Sequence, residues 1–151
     1  MITMLINLLW AFITIAVAPV KPYAVKPPDD IFHVAEGTWG RTVGAKTCTN
    51  GPQRISFTAD RSMMVIEYAD DSGAVRKARY ELRSVSPTTI RGFIIDETRK
   101  TPEGTLVVWD LVLTSRDSFA WHRTDWSPGA YTAEMRRCPA GTPLVQKPAS
   151  K

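Results

Sequence analysis

The chain has 151 residues, 44% hydrophobic and 23% charged, which is enough for one packed domain and too little for two of ordinary size. Its net charge is +4, with 19 basic residues interleaved among 15 acidic ones. The only dense basic cluster, Arg76-Lys77-Ala78-Arg79, is followed by Glu81, so it reads as a solvated strand face; a nucleic-acid groove needs a longer basic stripe with aromatics between, and no nucleic-acid partner is expected.

Residues 1–20 carry no charged side chain, and Leu5, Ile6, Leu8, Leu9, Trp10, Phe12, Ile13, Ile15 and Val17 make an apolar run. Its length suits the helical core of a signal peptide, or just suffices for a membrane anchor. A small-residue cleavage site, Ala16-Val17-Ala18, is followed by Pro19, and Pro22-Tyr23-Ala24 is an alternative. The expectation is export to a periplasm or beyond, with contact to a membrane only through this segment if it is retained. The two cysteines, Cys48 and Cys138, fit that compartment. In an oxidising environment they can pair with each other; two buried free thiols or an intermolecular bridge are the alternatives. Metal binding is not expected, because no Cys-x-x-Cys or histidine cluster accompanies them.

Residues 21–35 read as a proline-rich linker. Pro22, Pro27 and Pro28 fix φ and remove donors, which favours extended chain, and Ile31-Phe32-His33-Val34 can pack across one end of the following domain. That domain spans 36–138. Gly37-Thr38-Trp39 opens it, and Cys48-Thr49-Asn50-Gly51-Pro52 turns the chain. Period-two runs then follow. Ile55 and Phe57 share a face; so do Met64, Ile66 and Tyr68. A turn at Asp70-Asp71-Ser72-Gly73 leads to Ala78, Tyr80 and Leu82, which alternate with Lys77, Arg79, Glu81 and Arg83 in the cleanest one-sided strand of the chain. Residues 90–95 make the next strand, with Gly92 as a bulge or bend. Residues 106–113 are apolar except Asp110. Phe119, Trp121 and Arg123 alternate with Ala120, His122 and Thr124, and Tyr131, Ala133 and Met135 form the apolar face of the last strand. Residues 139–151 are a polar, proline-containing tail expected to be disordered.

The fold expectation is all-β: about eight antiparallel strands in a meander. Closing the meander into a barrel removes two open edges; a two-sheet sandwich is the alternative. Eight strands enclose an interior that side chains fill, or that holds one small ligand.

Gly37-Thr38-Trp39 at the start of the first strand resembles the Gly-x-Trp signature of lipocalins and the wider calycin group, which includes the avidins. The resemblance implies a basic residue from the last strand packed over the tryptophan to close one barrel end. Arg137 shares a face with Tyr131, Ala133 and Met135 and is assigned that role over Trp39, a cation–π contact of about 0.5–2 kcal/mol. The chain is also similar to small periplasmic inhibitors of bacterial metalloproteases, which are short eight-stranded barrels with an early tryptophan, a following cysteine and one disulfide. That similarity implies an N-terminal segment, here 21–35, that enters a protease cleft.

Two residues could carry acid–base chemistry: His122 on a strand, and Asp110 within an apolar run, which needs a partner such as Arg91 or Arg123 if buried. No nucleophile accompanies either, so an enzyme and a cofactor are not expected. Trp109, Trp121, Trp126 and Tyr131 cluster late in the sequence and can either fill a small barrel or stack on a ligand at its mouth. The functional expectation is an exported, non-enzymatic binding module of a bacterial cell envelope that takes a small apolar ligand or an envelope protein, with an inhibitor of a protease or hydrolase as the alternative.

Overall fold

In the computed structural model, which describes residues 19–27, 29–43, 46–49 and 51–145, the alternating runs become the strands β1 (Gly37–Val43), β2 (Lys46–Thr47), β3 (Gln53–Phe57), β4 (Met63–Ala69), β5 (Val75–Val85), β6 (Thr89–Ile94), β7 (Trp109–Ser115), β8 (Ser118–Arg123) and β9 (Met135–Arg137). Strand β2 only folds back on the end of β1. The other eight pair antiparallel in the order β1-β3-β4-β5-β6-β7-β8-β9, and β9 returns to β1. The result is a closed eight-stranded meander barrel, consistent with a lipocalin-like fold. Closure leaves the barrel wall no open edge to template aggregation.

Each hairpin carries local reasons for turning. Asp70 accepts hydrogen bonds from the amides of Ser72 and Ala74, an Asx-type turn that aligns β4 with β5. Asp60 does the same for Ser62 between β3 and β4. At Gly92 the expected irregularity is displaced to the partner: the β5 register shifts between Leu82 and Ser84 opposite it. A Cβ at Gly92 would lie 2.7 Å from the Glu81 carbonyl oxygen, so glycine permits the close approach of the two strands.

Two sequence boundaries move. The apolar run 106–113 yields a ladder strand only from Trp109, because Thr101 and Thr105 bond each other through backbone and hydroxyl groups and hold the preceding loop. The last strand contains Met135–Arg137 alone. Upstream of it the Thr132 hydroxyl, rather than a backbone carbonyl, accepts from the Trp121 amide, so Tyr131 to Glu134 follows β8 without a regular ladder.

The interior is packed from one end. Trp39, Ile55, Met64, Ile90, Leu111, Leu113 and Phe119 are buried almost completely. Val25, Ile31, Val34 and Ala35, from the stretch read as a linker, belong to this core. The Tyr23 amide donates to the Leu113 carbonyl and the Val25 amide to the Pro87 carbonyl, which ties the extended segment to the barrel wall. The chain then enters a short helix, α1 (Ile31–Ala35), whose first turn is capped by the Asp30 carboxylate accepting from the His33 amide at 2.8 Å. Ile31, Val34 and Ala35 on this helix are buried and close the barrel end. Residues 139–145 follow β9 with a turn from Pro139 to Thr142, and Leu144 is buried. The apolar leader 1–18 and the tail beyond 145 lie outside the described residues. Among the described residues, no helix is long and apolar enough to cross a membrane.

Candidate functional site

The closed end is built around Trp39 and Arg137, which are cross-strand partners in the β1–β9 ladder. The Arg137 guanidinium carbon stands 4.3 Å from the Trp39 ring centroid. The same group donates to the carbonyls of Val34 and Glu36 and to the Asp117 carboxylate at 2.9 Å. On the other side the Trp39 indole donates to the Ala35 carbonyl at 2.9 Å. One arginine therefore joins helix α1, the β7–β8 turn and the barrel seam. Cys48 and Cys138 form a disulfide beside that seam. Gly40 makes room for it, since a Cβ there would stand 2.6 Å from the Cys48 Cα and 3.1 Å from the Cys138 sulfur.

From Trp39 an aromatic column rises through the interior. Trp39 meets Phe119 edge to face at 5.1 Å, Phe119 meets Trp121 at 5.5 Å, and Trp121 stacks on Tyr80 at 5.6 Å. Burial raises the pKa of the Tyr80 phenol. Trp109 then contacts both Trp121 and Trp126. The guanidinium carbons of Arg99 and Arg123 lie 5.6 and 5.7 Å from the Trp109 centroid. Each guanidinium is oriented by an acid, Glu97 and Asp125 respectively. Hydrogen bonds from Arg99, the larger effect, lower the Glu97 pKa from 4.5 to about 2, while burial opposes the shift.

Of the four aromatics expected to bind a ligand, the structure brings Trp109, Trp121 and Trp126 into one chain of contacts. Tyr131 joins them only through His122, on which it packs at 5.2 Å and which meets Trp126 at 6.3 Å. Trp121 also lines a cleft of about 290 Å³ at the end opposite α1, together with Arg41, Gln53, Tyr68, Thr132 and Met135 among others. This is the open mouth. Its volume falls just below the range of small-molecule sites, about 300–1,000 Å³. The Gln53 side-chain nitrogen is buried there without a hydrogen-bond partner, as is the Trp109 indole nitrogen.

Arg41, Gln53 and Tyr68 were not anticipated from the sequence as site residues, although a signal existed. Arg41 has the parity of Trp39, Gln53 that of Ile55, and Tyr68 that of Ile66, so all three extend interior faces. Register confirms their proximity: Gln53 is opposite Trp39 on one side and opposite Tyr68 on the other.

The acid–base candidates are neighbours but are engaged elsewhere. Asp110 and His122 face each other across β7 and β8. Both Asp110 carboxylate oxygens accept from Arg91, at 2.7 and 2.8 Å. His122 Nδ1 lies 2.8 Å from the Ala130 carbonyl oxygen, which can only accept, so that nitrogen carries the proton. No group of three or more metal-binding side chains occurs among the described residues.

No protein-family model, characterised protein or solved structure matches the chain.

Proposed function

We propose that the chain is an exported, non-enzymatic binding module that takes a small ligand at the open mouth of its barrel. The observation that carries this reading is the mouth cleft itself. Below Trp121 the interior is filled by side chains, so a ligand is not swallowed whole. Above it, a cleft of about 290 Å³ is lined in part by Trp121 and Gln53, whose amide nitrogen is buried without an acceptor. A buried unpaired donor costs about 1–3 kcal/mol, so this amide is a point at which the mouth gains by rearranging around an acceptor. Export is supported by the charge-free leader and by the disulfide, which persists in oxidising compartments. The inhibitor reading is the alternative; it would have to work through the exposed part of its arm, because Val25, Ile31, Val34 and Ala35 pack into the barrel.

The test is an amide-detected NMR titration of the oxidised chain with a library of small amphiphilic compounds. Shifts clustered at Arg41, Gln53, Tyr68, Trp121 and Met135 are expected. Shifts confined to α1 and the closed end would overturn the assignment of the mouth.

A further inference from the structure

The arginines of this chain are almost uniformly paired. Arg54, Arg61, Arg76, Arg79, Arg83, Arg91, Arg99, Arg116, Arg123, Arg136 and Arg137 each lie within salt-bridge distance of a carboxylate. Arg41 is the one arginine left, and it has no carboxylate partner among the described residues. It is also the one that lines the mouth cleft. The lining contains no acid at all. The polar side chains it presents beside Arg41 are the Gln53 amide and the Tyr68 phenol, which carry donor groups, and the Thr132 hydroxyl, which donates to the Ala133 carbonyl.

From this we infer that the mouth cleft is a carboxylate site: it takes a small organic acid whose anionic head pairs with Arg41 and whose flat apolar body lies on Trp121. This inference rests on the mouth being the binding face. Three features point the same way. A guanidinium offers a planar fork that matches a carboxylate in two parallel hydrogen bonds. The Gln53 nitrogen, buried and unpartnered, needs an acceptor and not a donor. The indole of Trp121, stacked on Tyr80 on one side, is held rigid, so its use as a platform costs little side-chain entropy. A cationic ligand would meet Arg41 with no acid to offset it. A long acyl chain would meet the packed layer of Trp121 and Phe119, and the cleft volume limits the ligand to about one or two rings.

The test compares phenylacetate with phenylacetamide, which share the ring and differ in charge. Both are titrated into the oxidised chain by amide-detected NMR, with Arg41→Gln as the variant. The expected result is that phenylacetate shifts the mouth resonances and binds at least about tenfold more tightly than the amide, because a charge-assisted pair replaces a neutral contact. Arg41→Gln should erase that difference, and added salt should weaken the acid more than the amide. Equal binding of acid and amide at the mouth would overturn the carboxylate assignment while leaving the mouth as a binding face. So would an acid preference that survives Arg41→Gln. Absence of mouth shifts with either compound at about 10 mM, a concentration that suffices for fragments of this size, would overturn the inference. The broader library then decides whether the mouth binds anything.

Discussion

Replacing Cys48 and Cys138 together by alanine tests what closes the barrel. The bridge spans a sequence separation of 90, and loop closure in the unfolded chain then gives about 4.6 kcal/mol at 25 °C in the chain-entropy account. Domains of this size are stable by about 5–15 kcal/mol in total, so the bridge is a large share. Geometry makes the share plausible. The seam strand β9 pairs with β1 only at Trp39–Arg137, Gly40–Arg136 and Arg41–Met135, and with β8 only at Ser118–Arg136 and Phe119–Met135. Urea unfolding followed by far-ultraviolet circular dichroism measures the effect. The expected loss is about 3–5 kcal/mol, with a steeper denaturant slope because the unbridged chain exposes more surface when unfolded. A loss below about 1 kcal/mol with an unchanged slope would refute the reasoning, since the ladder and Arg137 would then hold the seam without the staple.

Two further outcomes concern stability. Arg137→Met keeps an apolar stem over Trp39 but leaves the Val34 and Glu36 carbonyls without their donor, and should cost about 2–3 kcal/mol in urea unfolding; a cost within about 0.5 kcal/mol, the range of ordinary surface changes, would show that the latch is idle. Glu97 has its folded-state pKa lowered to about 2 from 4.5, chiefly by hydrogen bonds from Arg99. A lowered carboxylate stabilises above its unfolded pKa and loses that contribution as pH falls through the folded value. The stability gap between the parent chain and Glu97→Gln should therefore be full above pH 4.5 and shrink toward pH 2. A gap independent of pH over that range would contradict the assignment.

The strand count and the order of the meander were legible because several strands bury one face, which imposes a period of two, and turn residues separate the rest. Strand β5 shows it plainly: Tyr80 is buried and Ala78 and Leu82 are half-buried between exposed neighbours. Boundaries were less legible where a side chain takes a backbone partner, as the Thr132 hydroxyl does from Trp121, because no periodicity records such a substitution. Helix α1 was hidden for a different reason. Its five residues are too few to show a helical repeat, and only the Asp30 cap and the apolar pair Ile31 and Val34 could have announced it. The aromatics drew attention in the sequence, yet Tyr131 sits on the outer wall with His122, since parity fails once the strand becomes irregular.

On the proposed reading, a barrel of this size binds at its mouth without a deep cavity. Eight strands enclose space that about one layer of large side chains fills, and here Trp39, Phe119, Trp121 and Tyr80 occupy it in sequence. A fold selected for stability alone would continue with apolar residues to the rim. Instead Arg41, Gln53 and Tyr68 extend the interior faces of the adjacent strands β1, β3 and β4, and the buried Gln53 amide nitrogen without a partner lowers stability. The closed end has the opposite character: the guanidinium of Arg137 is taken up by three backbone carbonyls, a carboxylate and an indole. Two arginines on one seam, cross-strand partners of Met135 and Trp39 respectively, thus divide the work. Arg137 spends its donors inside the protein to hold the barrel shut, whereas Arg41 is exposed at the other end and has no carboxylate partner among the described residues, as the proposed carboxylate site requires.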